Sequence, residues 1–168
     1  RYVCSFRTTG VAGQTEDSMV NRYVWNYYNR VPRVLRYFTA TANWSYNTAT
    51  VRQAEGSAAS QVAAVLGVAE VPVELEILAT VQSDTIGTNF KVGIGIDSTT
   101  AISAAALFGI VSVPVANLRI MVSSSLTTVP TIGRHAFTWL EWGDGGAPSG
   151  TWRGGDANSQ SGLRGWIE

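Results

Sequence analysis

Hydrophobic and polar positions alternate along much of this chain with the two-residue period of β-strands. The alternation is clearest in residues 73–82, where every second position carries an apolar side chain: Val73, Leu75, Ile77 and Ala79. The positions between them carry Glu74, Glu76 and Leu78. Because successive side chains of a strand point to opposite faces of its sheet, this pattern predicts a strand with one face in the core and one towards solvent.

The same alternation, interrupted by turn residues, predicts about eleven short strands. They cover residues 2–6, 20–28, 33–38, 43–46, 61–68, 73–82, 90–97, 118–123, 134–142, 150–153 and 162–167. Strands of this length and spacing are typical of β-sandwiches. We predict an all-β fold, an antiparallel β-sandwich with jelly-roll-like strand order and little helix, in one domain over residues 1–168.

Two alanine-rich stretches fit neither the period of a strand nor the period of a helix clearly. In residues 53–66, Gly56 weakens a helix, so we predict a loop followed by a strand. For residues 100–107, a short helix and an extended loop both stay open. In the strand predicted over residues 90–97, Gly93 and Gly95 indicate that another part of the chain approaches its backbone closely.

The stretch RYVWNYYNRV, residues 22–31, contains four aromatic residues in six positions. Its apolar positions fit the period of a strand and also that of a helix, but Tyr, Trp and Val favour a strand. In a strand, Tyr23, Trp25 and Tyr27 share one side, which we predict to fill the core. The other side carries Arg22, Val24, Asn26, Tyr28 and Arg30. Such a mixture of apolar and charged groups is typical of protein interfaces, and we predict that it borders a contact in a homo-oligomer, most simply a trimer.

The charge distribution narrows the classes of partner. The net charge is zero, yet residues 1–52 carry seven Arg against two acids, and residues 53–100 carry one Lys against six acids. The neutral balance argues against a dedicated nucleic-acid binder, and the asymmetry predicts that Arg-rich strands lie beside acidic ones. No apolar run of about 18 residues exists, so we predict no membrane insertion. Cys4 is the single cysteine, and its apolar neighbours predict a buried position.

Residue types that enzymes commonly use for catalysis are scarce. His135 is the single histidine, which excludes a histidine-based metal cluster within the chain, and we interpret it as a strand residue satisfied by a neighbour. Glu74 and Glu76 lie on one strand, whereas the paired acids of glycosidases normally flank the bond from different elements. Asp144 and Asp156 lack the spacing of calcium loops. We predict no enzymatic activity, no metal and no cofactor.

Residues 142–156 form the most unusual segment, with two Trp, two Asp, one Arg and six Gly. Aromatic rings beside carboxylate and guanidinium groups are one way in which proteins hold sugars. We therefore predict an exposed loop that binds a glycan through Trp142, Asp144, Trp152, Arg153 and Asp156. The alternative is a glycine-rich hairpin whose tryptophans plug the end of the sandwich.

Six phrases follow one another along nearly the whole chain: RYVWNYYNRV, NWSYNTATVRQAEGS, VLGVAE, KVGIGIDST, HAFTWLEWGDG and QSGLRGWIE. In combination they resemble a domain found near the C-terminus of minor structural proteins of tailed bacteriophages and prophages, described as tail or head-fibre-like. The resemblance implies a virion surface component, built as a β-sandwich, often homotrimeric and in contact with other virion proteins. It supplies no catalytic or binding residues for this chain.

These observations lead to three hypotheses of different class. We expect a non-enzymatic virion surface protein, namely a fibre, spike or decoration domain that mediates assembly or attachment to host-surface glycans. Because the chain begins at Arg1, we expect it to be the C-terminal part or processed product of a longer one. The alternatives are a lectin-like carbohydrate-binding module of a secreted enzyme, which predicts a monomer, and a glycan depolymerase, which requires a convergent pair of acids.

Overall fold

Two β-sheets lie face to face in the computed structural model, which describes residues 3–145 and 150–168. Within these ranges the one helix is a single 3-10 turn, Ala54–Gly56. The strands are β1 (Cys4–Phe6), β2 (Asn21–Arg22), β3 (Val24–Asn26), β4 (Arg33–Phe38), β5 (Asn43–Ser45), β6 (Arg52–Gln53), β7 (Gln61–Leu66), β8 (Val73–Ser83), β9 (Asn89–Ile96), β10 (Ala106–Phe108), β11 (Ile110–Ser112), β12 (Ile120–Thr128), β13 (Gly133–Gly143), β14 (Gly150–Arg153) and β15 (Gly162–Ile167). The prediction of an all-β antiparallel sandwich with little helix is confirmed, whereas the jelly-roll order stays a prediction.

Seven strands form the first sheet, called sheet I, which is built around β8. Strand β12 pairs along one side of β8, and β10 pairs with the far side of β12. On the other side, β15 and β14 pair with successive parts of β8. Strand β4 then pairs with β15, and β5 pairs with β14. All these pairs are antiparallel.

The second sheet, called sheet II, is built around β13. Strand β9 pairs along one side of β13, followed by β11. On the other side, β7 and β6 pair with successive parts of β13. Strand β2 pairs with β7 in parallel through two residues, which makes it an exception to the antiparallel order among the described strands.

The core lies between the two sheets and follows the alternation of the sequence. On β8 the buried side chains are Val73, Leu75, Ile77, Ala79 and Val81. Between them, Glu76 and Leu78 are exposed. Sheet II contributes Phe90, Val92 and Ile94 to the core. Each of these larger side chains stabilises the fold by roughly 1.5–3 kcal/mol on burial, so the predicted strand over residues 73–82 is confirmed in position and in orientation.

Strand β9 is buried on both faces because residues 97–105 fold back across it. The side chain of Ile102 packs against Gly93 so closely that an added Cβ would lie 2.5 Å from Ile102 Cδ1. Gly95 lies equally close to the backbone carbonyls of the same loop. The close approach predicted from these glycines is confirmed. Because the loop follows the strand in extended form, the stretch of residues 100–107 is not helical.

The segment that contains Tyr23 and Trp25 closes one side of the sandwich. Strand β2 pairs with β7 of sheet II, while the carbonyl of Met19 accepts a hydrogen bond from the Arg36 N–H of sheet I at 2.7 Å. Trp25 is fully buried and Tyr23 nearly so. These two rings therefore fill the gap between the sheet edges, as predicted for one side of RYVWNYYNRV.

Two predictions for the N-terminal part are wrong. Tyr27 is exposed, because β3 ends at Asn26 and the Asn26 Oδ1 accepts a hydrogen bond from the Tyr28 N–H at 2.9 Å. The chain turns there, so Tyr27 leaves the core side. Cys4 is exposed as well, because β1 pairs only with β3 in a two-stranded sheet at the surface.

Candidate functional site

The predicted ligand residue Trp152 lies in the core. Its side chain is fully buried, its ring stacks on Trp44 with centroids 6.2 Å apart, and it meets the edge of Phe90 at 5.5 Å. Its Nε1 donates a hydrogen bond to the Tyr46 carbonyl at 2.9 Å. The prediction that Trp152 is an exposed sugar contact is wrong, because β14 turns this side chain inward. The tryptophan plugs the sandwich, as the alternative interpretation held.

Trp142 and Asp144 lie on sheet II. The ring of Trp142 is half-buried, and the Lys91 ammonium lies 4.7 Å from its centroid. The Asp144 carboxylate accepts hydrogen bonds from the backbone N–H of Asn89 at 2.8 Å and from its side-chain amide at 2.9 Å. Both residues therefore have partners within their own sheet.

Arg153 belongs to β14 of sheet I, and Asp156 lies in the loop between β14 and β15. Arg153 donates a hydrogen bond to Gln82 Oε1 at 3.0 Å. Asp156 Oδ1 accepts hydrogen bonds from the backbone N–H groups of Asn158 and Ser159, and these, the Asn158 bond first, hold the pKa of Asp156 below its ordinary value.

The five predicted ligand residues are therefore divided between two sheets and the core. Part of the loop that joins them, residues 146–149, lies outside the described residues. For the rest, Trp142 belongs to β13 of sheet II and Arg153 to β14 of sheet I, while Asp144 and Asp156 lie in the segments that follow these strands.

The acid Glu141 is closed off from solvent. Its carboxylate is fully buried and accepts hydrogen bonds from Trp44 Nε1 at 2.7 Å and from Arg52 Nε at 2.8 Å. Burial raises the pKa of Glu141 to about 7, because the loss of hydration outweighs the opposing effect of Trp44 and Arg52. A buried acid with both oxygens engaged is a structural group and not one of a pair facing a substrate.

His135 also has partners, as interpreted from the sequence. Its Nδ1 lies 2.7 Å from Asp97 Oδ2, and its Nε2 lies 2.9 Å from the Thr131 carbonyl. Asp97 also accepts a hydrogen bond from the Ala136 N–H at 2.8 Å. The histidine thereby joins the end of β9 to the start of β13.

The outer face of sheet I carries two exposed aromatic side chains, Phe38 and Trp166. Residues directly opposite each other on neighbouring strands form rows across this face. The first row is Val34, Trp166, Glu74 and Thr127, and the second row is Arg36, Arg164, Glu76 and Ser125. These rows line a shallow groove of about 600 Å³. We call this surface the outer groove and define it by Val34, Arg36, Phe38, Glu74, Arg164 and Trp166.

Two aromatic side chains lie exposed in the outer groove. Trp166 keeps 50% of its surface accessible in the middle of a paired strand, and Phe38 keeps 40%. The Phe38 ring lies against Gly162 of the neighbouring strand, which leaves no room for a side chain there. Both rings therefore lie on the outward face of sheet I and outside the core.

The charged groups of the outer groove are unequally paired. Arg164 donates to Glu76 Oε2 through Nη2 at 3.1 Å and Nε at 3.3 Å. The Arg36 guanidinium lies 5.2 Å from the Phe38 ring centroid. For residues 3–145 and 150–168, the structure gives neither Arg36 nor Glu74 a salt bridge. The groove thus combines aromatic faces with one uncommitted cation and one uncommitted anion.

The sequence contained a clue to this surface that the interpretation above did not use. In the strand of residues 162–167, Leu163 and Ile167 alternate with Arg164 and Trp166. The apolar pair identifies the inward side, so Trp166 belongs to the outward side with Arg164.

The residues predicted for an oligomer contact differ in their accessibility. Arg22 is engaged within its own chain, because it lies 3.5 Å from Asp17 and donates to the Val34 carbonyl at 3.1 Å. Val24 is half-buried, whereas Asn26, Tyr28 and Arg30 are exposed. Tyr28 meets the edge of Tyr27 with ring centroids 5.4 Å apart. The accessible part of this predicted interface is therefore the turn after β3.

Three comparisons, with family models, curated proteins and solved structures, give no match to this chain. In the described ranges, no group of three or more His, Cys, Asp or Glu side chains is placed to hold a metal ion. No helix in those same ranges has the length and apolar character to cross a membrane.

Proposed function

We propose that this chain is a non-enzymatic binding domain of a virion surface and that its outer groove holds a host-surface glycan. The observation that carries the proposal is the half-exposed Trp166 between two kinds of polar group. Arg164 lies two residues before it on the same face, and Glu74 lies opposite it on β8. A sugar ring stacked on the indole would have a hydrogen-bond donor on one side and an acceptor on the other.

The shape of the groove favours a polymeric sugar over a small enclosed ligand. The surface is open along the sheet, and its floor is formed by paired backbone that is fixed before any ligand arrives. Preorganised binding groups lose little entropy when they bind. Aromatic faces pack against the C–H groups of sugars, while guanidinium and carboxylate groups bond to the hydroxyls.

The acids of the groove support a binding role over a cleaving one. Glu76 is held by two hydrogen bonds from Arg164. Glu74 lies on the same strand, two residues before Glu76. Glycosidases place their two carboxyl groups on opposite sides of the scissile bond, an arrangement that two neighbours on one face of one strand do not provide.

The proposed location on a virion is supported by the phrases that resemble tailed-phage structural proteins. The runner-up, a lectin-like module of a secreted enzyme, would use the same groove. Measurement of molar mass in solution separates these two hypotheses, because the virion hypothesis predicts a homo-oligomer and the module a monomer.

The test is a binding assay of the purified chain on surface polysaccharides from candidate host cells. We expect Trp166→Ala to weaken binding at least about tenfold, equivalent to ~1.4 kcal/mol, with an unchanged melting temperature. Trp142→Ala is the matched control, because it removes a half-buried tryptophan from sheet II. Equal binding by Trp166→Ala and the unmodified chain contradicts the glycan site, and release of sugar fragments contradicts the non-enzymatic role.

A further inference from the structure

We infer that the outer groove selects acidic sugars, whose carboxylate lies between Arg36 and Arg164. The inference rests on the proposed function and names its ligand class. Two like charges are neighbours within the sheet, because the register places Arg36 of β4 directly opposite Arg164 of β15. Like charges directly opposite each other on paired strands repel, and an anion that contacts both removes that repulsion.

The internal carboxylates leave this repulsion only partly compensated. Glu76 binds Arg164 through Nε and Nη2, and it lies on the β8 side, away from Arg36. Within the described ranges, neither Arg164 Nη1 nor the Arg36 guanidinium donates a hydrogen bond. Both groups therefore face the groove with donors available for a second carboxylate.

An aromatic neighbour holds Arg36 in place for this task, while Glu76 holds Arg164. The Arg36 guanidinium lies over the Phe38 ring, 5.2 Å from its centroid, and the ring itself lies against Gly162. A guanidinium group is planar and binds carboxylates through two parallel hydrogen bonds. Stacking on a fixed ring orients that plane before the ligand arrives, so less side-chain entropy is lost on binding.

The remaining acid of the groove gives the bound sugar a direction. Glu74 lies beside Trp166 on the side of β8, whereas Arg36 lies on the side of β4. A carboxylate near Glu74 would be repelled, and sugar hydroxyls there can donate to it. The acidic group therefore points towards β4, with the sugar ring on Trp166 and its hydroxyls towards Glu74.

The test compares carboxylated polysaccharides with their own carboxyl-reduced forms. The probes are oligosaccharides of polygalacturonate, alginate and polysialate, together with the same oligosaccharides after reduction of each carboxyl group to a hydroxymethyl group. Titration calorimetry with the whole chain at low salt should show at least tenfold tighter binding of at least one carboxylated form. Arg36→Gln should remove this preference and keep the binding of the reduced form. Trp166→Ala should weaken both.

The controls separate this inference from the proposal on which it rests. Arg134→Gln removes an exposed arginine of sheet II and should leave the preference unchanged. If carboxylated and reduced forms bind equally, or if Arg36→Gln keeps the preference, the acidic-sugar inference is overturned while glycan binding stands. If only neutral host polysaccharides bind, the inference is also overturned. If no carbohydrate binds, both the inference and the proposed function are wrong.

Discussion

Glu141 and Arg52 form an ion pair in which the carboxylate is fully buried and the guanidinium is about one-third exposed. The Arg52 guanidinium also lies 3.6 Å from the centroid of the Tyr46 ring, so one face of the guanidinium is covered by protein. Trp44 joins the same carboxylate from sheet I. This cluster therefore ties the two sheets together at the end of the sandwich that Trp152 fills.

The buried carboxylate predicts an unusual dependence of stability on pH. Because the pKa of Glu141 is about 7 in the folded protein and 4.5 as its ordinary value, the folded state binds the extra proton between these values. The free energy of unfolding should therefore fall as the pH rises from 4.5 to about 7, by roughly 3 kcal/mol at about 1.4 kcal/mol per pH unit. Urea unfolding at a series of pH values measures this fall in the free energy of unfolding.

The variant Glu141→Gln isolates this contribution from that of the other acids. Glutamine keeps one acceptor oxygen, for either Trp44 or Arg52, and does not titrate. This variant is less stable overall, but its free energy of unfolding should lack the fall between pH 4.5 and 7. The difference between the two proteins gives the contribution of Glu141. Parallel pH profiles would show that burial does not raise the pKa of this carboxyl group.

Trp152→Ala should destabilise the protein strongly. The side chain is fully buried between Trp44 and Phe90, so its removal leaves a cavity and an unsatisfied carbonyl at Tyr46. The expected loss is about 3–5 kcal/mol, measured by chemical denaturation. Trp142→Ala, which affects a half-buried ring, should cost distinctly less. Similar losses in the two variants would mean that Trp152 is not the plug described above.

Gly93→Ala should destabilise the sandwich through a single contact. The new methyl group would meet the side chain of Ile102, and such overpacking costs about 1–3 kcal/mol. Gly109→Ala is the control, because nothing lies within 4 Å of the added Cβ there. In a protein that already carries Ile102→Ala, the loss of unfolding free energy caused by Gly93→Ala should largely disappear. Additive effects of the two changes would contradict a direct clash.

The predicted oligomer depends on the turn after β3. Tyr28→Ser combined with Arg30→Glu should convert a trimer into folded chains of 18.0 kDa, because it removes an exposed ring that is 56% accessible and reverses a charge. Light scattering after size exclusion measures the molar mass. Ile86→Ser, at a similarly exposed apolar position, should leave the trimer intact. A monomeric unmodified chain contradicts the prediction.

The sequence by itself determined the fold class and most of the strands. Alternation of apolar and polar residues is a local property, and it gave β4, β14 and β15 with their observed bounds. It also placed the buried face of β8 correctly. Three strands of two or three residues, β6, β10 and β11, were missed because so short a segment shows no period. The equally short β1, β2, β3 and β5 lie within longer stretches that the sequence predicted as strands.

Local side-chain bonding explains where the sequence interpretation of RYVWNYYNRV failed. The alternation of Tyr23, Trp25 and Tyr27 continues past the point where the strand ends. The Asn26 side chain bonds to the Tyr28 N–H and starts a turn, so the last aromatic ring leaves the core. The periodic pattern of apolar residues does not reveal where the strand ends.

Only the tertiary structure decided which charged groups meet. Arg36, Glu76 and Arg164 lie far apart in the chain, and the pairing of β4, β15 and β8 brings them into one row. The sequence predicted that arginine-rich strands lie beside acidic ones, but in this row Arg36 of β4 lies opposite Arg164 of β15, and Glu76 belongs to the strand beyond. The register that sets these neighbours follows from how both sheets pack their inner faces, which depends on all strands together. That collective packing, and no local pattern, placed Arg36 opposite Arg164 and left Trp166 exposed between arginine and glutamate.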